Sequence, residues 1–258
     1  MSVAKAIKDI EVLLLGVDRK EYLAQPSYWE KRQWTQYQST YKGKGKRRIE
    51  TGKQLNKLFE HSNFLQKIPC PVTRNDVLKK VEDAGLNEDK LVEAFVMTMV
   101  WGFGPWPVGP YRTSVMLESG GPGLGEQLRK VVSYLHVGDE EGRKTAFDSL
   151  LELEQCGPAF ATKFMYFASP LEYRIPIFDN VVATWLSARK VKLSAPKEDH
   201  FFEYHKFCVD AAKELGEKDL GLLEYVMFSD QKGAYINEDI KQLPNWLKKQ
   251  QFPNQIVS

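Results

Sequence analysis

The 258-residue chain is poor in cysteine and histidine, with only three of the first and four of the second. The three cysteines, Cys70, Cys156 and Cys208, are odd in number and widely separated, which excludes a disulfide framework. They are one thiolate short of the four that bind an iron–sulfur cluster, and no zinc spacing links them to the histidines. The composition therefore predicts a protein without a bound metal.

The chain also lacks any apolar run long enough to span a membrane. The first predicted helix, residues 3–15, carries several charges and only a brief apolar stretch, which excludes a secretory signal. A hydrophobic content of 43% in 258 residues is enough for a full core, in one large domain or two unequal lobes. We expect an intracellular globular protein without a membrane partner, cytoplasmic or associated with the nucleoid (nuclear in a eukaryote).

Strand patterns are scarce, and apolar residues recur at helical spacing along most of the chain. Thr73 and Asp76 form a capping pattern that starts a helix, and Gly85 ends it. The next predicted helix, 88–101, is apolar over most of its second half and reads as a central buried helix. Further helices are predicted around 201–215, 220–228 and 236–248. The sequence therefore predicts an all-α fold.

The predicted organisation has three segments. Residues 1–86 form an N-terminal basic and aromatic helical lobe, and residues 87–230 form a regular helical domain that contains a hairpin. Residues 231–258 form a C-terminal helix that packs back on the lobes. We expect a cleft between the two lobes.

Positive charge is concentrated near the N-terminus, although the net charge of the chain is only +2. Residues 27–57 contain nine basic residues against two acidic ones, with tyrosines and tryptophans interleaved. The densest part carries Lys42, Lys44, Lys46, Arg47 and Arg48. Such side chains attract phosphates and aromatic faces stack on bases, so this segment is a candidate contact with the DNA backbone. The alternative is a solvated surface loop whose aromatics dock on the core.

The most informative stretch is residues 153–186. It reads as a helix end, a tight turn at Cys156-Gly157-Pro158, a second helix over 159–168, a proline-containing loop and a third helix opened by Asp179. Gly157 permits the backbone angles of a short interhelical turn, and Pro158 suits the first turn of a helix. The free amides at that helix start form an anion site that fits a phosphate. Asp179 stands where a helix N-cap belongs.

This stretch resembles the helix-hairpin-helix DNA glycosylases, a family with a Gly/Pro-rich loop and a catalytic aspartate. The similarity is closest to the 8-oxoguanine glycosylase fold branch, while residues 175–179 also resemble the adenine-mismatch glycosylases. The motif covers 34 residues, within a compatible helical pattern over 87–230. The resemblance implies a two-lobed helical fold, double-stranded DNA as the partner, and hydrolysis of the N-glycosidic bond of a flipped-out damaged or modified base.

The resemblance also assigns roles by position. Asp179 corresponds to the catalytic aspartate. The hairpin that holds a DNA phosphate corresponds to Gln155, Cys156, Gly157, Pro158 and Ala159. Members of the family often hold a monovalent cation on the hairpin carbonyls, and no other cofactor is implied. Two positions depart from the family pattern: Gln155 replaces the first hairpin glycine, and Ala159 stands where lyase-active members carry a nucleophilic lysine. Because the nearby Lys163 is expected to be solvated or to contact DNA, we expect a monofunctional glycosylase that leaves an abasic site.

The chemistry of base excision explains the need for a carboxylate. Cleavage of a base from deoxyribose passes through a cation-like sugar, which Asp179 would stabilise while it orients or activates the attacking water. The helix dipole favours an ionised carboxylate at that position. The alternative interpretation is a plain N-cap, because aspartate is among the commonest capping residues.

Lys163 is the second candidate catalytic residue. It lies one helical turn beyond Ala159 on nearly the same face. It would serve as a Schiff-base amine that nicks the strand, or as a phosphate contact. The alternative is a solvated lysine on an amphipathic helix whose other face is apolar. We expect a solvated lysine or a DNA contact.

Residues 101–113 contain three glycines, three prolines and several aromatics, which predicts an irregular loop. A glycosylase must turn its target nucleotide out of the duplex and hold the base between flat or apolar side chains. Trp106, Tyr111 and Arg112 are the candidates for that base pocket. The alternative is a rigid connection whose aromatics fill the core.

Three other functions stay open on the sequence alone. The chain could bind DNA through a glycosylase fold without turnover, since Gln155 departs from the hairpin pattern. It could be a helical module that binds a protein or RNA through the basic segment. As an enzyme, it could excise modified bases of foreign (phage) DNA in antiviral defence instead of repair. We expect a monomer, which suits a protein that surrounds a bent duplex.

Overall fold

Helices account for most of the chain, as the apolar periodicity predicts. The computed structural model describes residues 3–42, 49–193 and 195–239, with side chains as far as residue 233. The α-helices are α1 (Val3–Leu14), α2 (Arg19–Ala24), α3 (Lys31–Thr35), α4 (Lys57–Glu60), α5 (Ser62–Lys67), α6 (Arg74–Ala84), α7 (Glu88–Phe103), α8 (Gly109–Gly120), α9 (Leu124–Val137), α10 (Glu140–Leu151), α11 (Pro158–Ala168), α12 (Asn180–Ala188), α13 (Glu198–Leu215) and α14 (Leu220–Asp239). The predicted all-α fold is confirmed.

Two short antiparallel strand pairs organise the N-terminal part. Strand β1 (Pro26–Ser27) pairs with β4 (Val72–Thr73), which leads directly into α6. Strand β2 (Ser39–Thr40) pairs with β3 (Gln54–Leu55). The first pair brings residues 25–28 close to the start of α6, and both elements reappear in the wall of the candidate site.

Helices α6 and α7 begin and end where the sequence indicates. Thr73 and Asp76 form the predicted capping box of α6, and Gly85 caps its other end with a φ of 53°. Helix α7 is buried along most of its length and packs against α6, α9 and α11. A helix that is apolar on nearly every side is stable only in the centre of a core.

The predicted irregular loop over 101–113 is wrong at both of its ends. Helix α7 continues to Phe103 and α8 starts at Gly109, so only residues 104–108 are irregular. Pro110 stands in the first turn of α8, where the amide that proline lacks has no partner in any case. The proline therefore begins a helix instead of prolonging a loop.

One continuous apolar core runs from Ala6 on α1 to Met227 on α14. A second, small cluster joins Tyr41, Ile49, Leu55 and Val115, with Tyr111 packed against it. Within the basic segment Lys42 is exposed. Lys44, Lys46, Arg47 and Arg48 lie outside the described residues. The three-segment organisation and the division into two lobes stay predictions.

Helix α14 runs without a break from Leu220 to Asp239. We predicted two separate helices here, 220–228 and 236–248. The described part of the chain instead shows one helix that continues past residue 228 and packs on α1, α12 and α13. The rest of the second predicted helix lies outside the described residues. In the parts that the structure describes, no helix is long and apolar enough to cross a membrane.

Candidate active site

Asp179 is the N-cap of α12, as predicted. Its Oδ1 accepts hydrogen bonds from the amides of Val181 (3.0 Å) and Val182 (3.2 Å). These two bonds fix the orientation of the carboxyl group. The other oxygen, Oδ2, turns toward α11.

The residues just before Asp179 are held on two helices. The Phe178 amide donates to Thr162 Oγ1 on α11 (3.0 Å), and the Tyr204 hydroxyl of α13 donates to the Ile177 carbonyl (3.1 Å). The Phe178 and Tyr204 rings stack with centroids 4.5 Å apart. A carboxylate at the end of so constrained a segment is positioned before any ligand arrives.

Lys163 forms an ion pair with Asp179. Its Nζ lies 3.2 Å from Asp179 Oδ2 and 3.4 Å from the Ala159 carbonyl, and 5.4 Å from the centroid of the Phe160 ring. The side chain of Lys163 is only 8% exposed, and that of Asp179 is 15% exposed. The structure thus brings the two candidate catalytic residues together.

The expectation of a solvated Lys163 is wrong, and Gly102 on α7 explains why. The lysine stem passes so close to Gly102 that a Cβ at this position would lie 2.8 Å from Lys163 Cδ. Helix α11 is buried on nearly all sides, so its lysine extends through the gap that glycine leaves between α7 and α11. The amphipathic pattern of α11 does not reveal this gap, because it is created by another helix.

A cavity of about 130 Å³ opens beside the ion pair. Its wall is built from the N-terminal segment, α6, α7, α11 and α14. Besides Lys163 and Asp179 it includes Gln25, Ser27, Arg74, Trp101, Glu224 and Phe228. Trp106 also borders the cavity and is 60% exposed, so it lies at the rim.

A second ion pair forms part of this wall. Arg74 Nη2 lies 2.8 Å from Glu224 Oε2, and both side chains are 1% exposed. Burial raises the pKa of Glu224 to about 7, while Arg74 opposes that rise. Neither residue was predicted from the sequence. The available signal was a lone carboxylate in an otherwise apolar stretch of α14, residues 222–228.

The hairpin between α10 and α11 takes its sharp turn at Gln155. Gln155 has a φ of 70°, in the left-handed region that glycine normally occupies. Gly157 has ordinary extended angles (φ −85°, ψ 175°), and a Cβ there would meet nothing within 4 Å. The conformational role predicted for Gly157 therefore belongs to Gln155, although Gln155 carries a side chain.

We expect the substitution Gln155→Gly to stabilise the protein. A side chain in the left-handed region costs about 1–2 kcal/mol, and the greater freedom of glycine in the unfolded chain returns part of this. The net gain should be about 0.5–1 kcal/mol, measured as a higher urea midpoint. Lys190, with a φ of 62°, is the matched case, and Lys190→Gly should give a similar gain. An unchanged or lower midpoint in both variants would contradict this explanation.

Arg112 lies at the hairpin and does not line the cavity beside Asp179. Its Nη2 donates to the Gln155 carbonyl (2.8 Å), and its guanidinium carbon lies 5.1 Å from the centroid of the Phe160 ring. Burial lowers the pKa of Arg112. Tyr111 packs on the second apolar cluster, where its hydroxyl accepts a bond from the Lys42 amide (3.5 Å). Of the three candidates for the base pocket, Trp106 alone borders this cavity.

A shallow hollow runs along the hairpin. Arg112 and Lys197 border it together with residues 155–158. No side chain caps the start of α11. Pro158 has no amide hydrogen, and the amides of Phe160 and Ala161 donate to the Gly157 carbonyl, so the Ala159 amide is the one that faces an anion here. Lys197, which precedes α13, was not among our predicted residues, since only the fold brings it to the hairpin. Cys156 is buried, and burial raises the pKa of its thiol to about 12.

A hydrogen bond from Tyr41 also joins the hairpin to the N-terminal part of the chain. The Tyr41 hydroxyl donates to Glu154 Oε1, directly before the hairpin turn. Tyr41 comes just before the densest basic stretch, residues 42–48, and Ile49 just after it, and both belong to the second apolar cluster. The described residues on the two sides of this stretch are therefore held in one cluster, which the Tyr41–Glu154 bond joins to the hairpin. Among residues 3–42, 49–193 and 195–239, no group of three or more potential metal ligands is present.

Comparison with known proteins gives one match. The family described as "Putative 8-oxoguanine DNA glycosylase OGG-like protein" matches residues 20–228, which include the hairpin, both ion pairs and the wall residues named above. No curated protein and no solved structure matches the chain.

Proposed function

From the premise that the chain belongs to this family of OGG-like proteins, we propose that it is a DNA glycosylase that excises a damaged or modified base. The observation that carries the proposal is the position of Asp179. This carboxylate is fixed by two backbone amides at a helix start and borders a cavity of about 130 Å³. An extruded nucleotide with its base in the cavity would bring its anomeric carbon to this carboxylate.

The chain's own groups would then divide the work. Asp179 stabilises the positive charge that develops on the sugar as the bond to the base breaks. In the hydrolytic route Asp179 also orients a water molecule, which attacks the anomeric carbon. Asp179 then receives the proton that this water loses. The base leaves with the bonding electrons and takes up a proton, and an abasic site stays in the strand.

The DNA backbone would be held at the hairpin. The Ala159 amide at the start of α11 would donate a hydrogen bond to a phosphate, with Arg112 and Lys197 supplying positive charge beside the carboxylate of Glu198. Arg112 already donates to the Gln155 carbonyl. The family resemblance assigns a monovalent cation to the hairpin carbonyls, so Arg112 supplies positive charge at the same place. The basic segment anchored beside the hairpin would extend the same phosphate contacts. Trp106 at the rim would stack on a base as the duplex opens.

Direct identification of released bases tests the proposal. The protein is incubated with duplexes that carry oxidised guanine, with other lesion-bearing duplexes, and with heavily modified phage DNA. Mass spectrometry then identifies every base set free. We expect release of oxidised guanine, the base that the family description indicates, while release from phage DNA alone would assign the protein to defence. Tight, salt-dependent binding without any released base would identify a DNA-binding protein without turnover.

The ion pair favours a second candidate function, that of a glycosylase with lyase activity. Our expectation of a monofunctional enzyme depended on a solvated Lys163, and the burial of this lysine removes that support. A cation 3.2 Å from Asp179 also weakens the stabilisation that the carboxylate offers to a cationic sugar. Transfer of the ammonium proton to Asp179 would remove this conflict and leave a neutral amine, which is a nucleophile.

In this route Lys163 Nζ forms a bond with the anomeric carbon as the bond to the base breaks. Asp179 passes the proton it took from the ammonium to the base, which departs with the bonding electron pair, and then accepts the proton that the new secondary ammonium loses. Opening of the sugar ring then gives a Schiff base, from which elimination nicks the strand.

Borohydride trapping distinguishes the two routes. We expect the wild type to give a covalent adduct with a lesion-bearing duplex, and Lys163→Gln to give none and to lose at least about 10²-fold in excision rate. Glutamine retains a donor for Asp179, so the loss should not reflect unfolding. Lys213, exposed on α13, is the control, and Lys213→Gln should be trapped as well as the wild type. Excision at the wild-type rate by Lys163→Gln, without strand nicking by either protein, would leave the hydrolytic route.

A further inference from the structure

The Arg74–Glu224 pair lies in the wall of the cavity, yet neither residue has a part in the chemistry proposed above. The pair joins α6 to α14 across the core, with Nη2 and Oε2 2.8 Å apart. Buried ion pairs contribute little net stability, because the loss of hydration offsets the attraction between the charges. The neighbours of Glu224 on α14, at positions 222, 223, 226 and 227, are buried apolar residues. An apolar residue at 224 would therefore suit this helix equally well. Stability alone does not explain the carboxylate.

Arg74 holds Glu224 in one place. Four aromatic rings surround the Arg74 guanidinium, whose carbon lies 5.0–5.8 Å from the centroids of Tyr22, Trp101, Tyr166 and Tyr225. Burial lowers the pKa of Arg74, but Glu224 and the two buried tyrosines Tyr22 and Tyr166 raise it above its ordinary value, so Arg74 is always charged. A rigid cation beside one carboxylate oxygen fixes the carboxyl plane and favours its ionised form, which predominates above the Glu224 pKa of about 7.

The same carboxylate shares the cavity with the proposed catalytic groups. Asp179 raises the pKa of Glu224 and Lys163 lowers it, so the fields of both groups reach it. A base that enters beside Asp179 and Lys163 therefore meets a wall that contains a fixed acceptor of hydrogen bonds.

An ionised carboxylate accepts hydrogen bonds and donates none. Guanine-type bases carry two adjacent N–H donors on the Watson–Crick edge, at N1 and at the 2-amino group. Adenine and cytosine place one donor next to an acceptor there, and thymine and uracil place a single donor between two carbonyls. A carboxylate can thus pair with both donors of a guanine-type edge, whereas every other base brings an acceptor against it.

We propose that Glu224 is the specificity-determining residue of the cavity, and that its carboxylate, oriented by Arg74, accepts the two N–H groups of an extruded guanine-type base. This inference deepens the proposed function and rests on it. It assigns the recognition of the base to α14, while excision belongs to α11 and α12.

The test uses two substrates that differ by one donor. Duplexes carry either 8-oxoguanine or 8-oxohypoxanthine, which lacks only the 2-amino group, and excision is measured above pH 7, where Glu224 is mostly ionised. The wild type should excise the first roughly 10- to 100-fold faster, the usual effect of one hydrogen bond to a charged acceptor. In Glu224→Gln this preference should fall to nearly none, because an amide oxygen and its NH₂ cannot both accept. Glu224→Asp, which retains the charge for Arg74 but shortens the reach, should lose the preference as well. Glu203→Gln, exposed on α13, should retain it.

Binding of the two free bases supplies a measurement that needs no turnover. Quenching of tryptophan fluorescence reports occupancy, since Trp101 forms part of the wall. We expect the wild type to bind 8-oxoguanine at least about tenfold more tightly than 8-oxohypoxanthine, and Glu224→Gln to bind both alike. Selective binding of 8-oxoguanine without any excision would support recognition of the base by Glu224 and reject the proposed function. Excision by a wild type that treats both substrates alike, or an unchanged preference in a folded Glu224→Gln, would overturn the inference and leave the glycosylase assignment standing.

Discussion

Replacing Asp179 with asparagine should lower the rate of base excision by roughly 10³-fold or more while the fold and the affinity for DNA stay unchanged. The loss is expected because an amide cannot stabilise a cationic sugar, nor can it accept a proton from water or from Lys163. Asparagine is as good an N-cap as aspartate, so its Oδ1 can accept the same bonds from Val181 and Val182. The substitution thus separates the charge of residue 179 from its structural role.

The measurement is single-turnover excision together with binding to a duplex that contains an abasic analogue. Asp139 is the matched control, because it caps α10 in the same way and accepts from the Gly142 amide (2.6 Å). Asp139→Asn should excise at the wild-type rate. Asp179→Ala should also lose about 1 kcal/mol of stability, as the cap is then removed together with the charge. Equal excision by the wild type and Asp179→Asn would remove this residue from the mechanism.

The largest loss of stability should follow from Arg74→Met. Removing one partner of a buried ion pair leaves an uncompensated charge, which typically costs about 3–5 kcal/mol. The double variant Arg74→Met, Glu224→Leu should recover most of this loss, because well-packed apolar side chains often replace a buried pair without cost. Urea unfolding of the wild type and both variants measures the effect. A single variant as stable as the wild type would show that Glu224 needs no cation beside it.

The stability lost in Arg74→Met should depend on pH, and the raised pKa of Glu224 sets the direction of that dependence. Glu224 has a pKa of about 7 in the folded protein, above the ordinary value of 4.5. Its contribution to stability is therefore present below pH 4.5 and is lost as the pH rises toward 7. Without Arg74 the pKa rises further, so the loss continues above pH 7. We expect Arg74→Met to be more destabilised at pH 8 than at pH 6.

An exposed ion pair provides the control for the stability lost in Arg74→Met. Arg129 Nε lies 3.0 Å from Glu88 Oε1, with side chains 38% and 48% exposed. Arg129→Met should cost less than about 1 kcal/mol, because water screens the charges. A cost equal to that of Arg74→Met would mean that burial is not the source of the effect.

Features encoded by neighbouring residues could be predicted from the sequence. The caps at Thr73 and Asp179 depend on side chains within three residues of the amides they bind, so their sequence pattern is sufficient. The hairpin and the helices on both sides of it depend equally on local signals. The proline in the first turn of α8 was misread, because Pro110 is compatible with either a loop or a helix start.

Features created by distant parts of the chain could not be predicted. Lys163 is buried because Gly102 on another helix leaves room for it, and Glu224 reaches the cavity only because α14 packs across the core. Lys197 meets the hairpin for the same reason. The left-handed angle of Gln155 is a further case, since it appears at a residue type that rarely adopts it. The sequence therefore indicated Asp179, Lys163 and Trp106, but neither the burial of Lys163 nor the Arg74–Glu224 pair beside them.

The close approach of Gly102 to Lys163 has a consequence for how this site can evolve. Any larger residue at 102 would meet the lysine stem, which would then have to leave its present path to Asp179. A larger residue at 102 fits best with a shorter side chain at 163, so the two positions should covary among descendants of this chain.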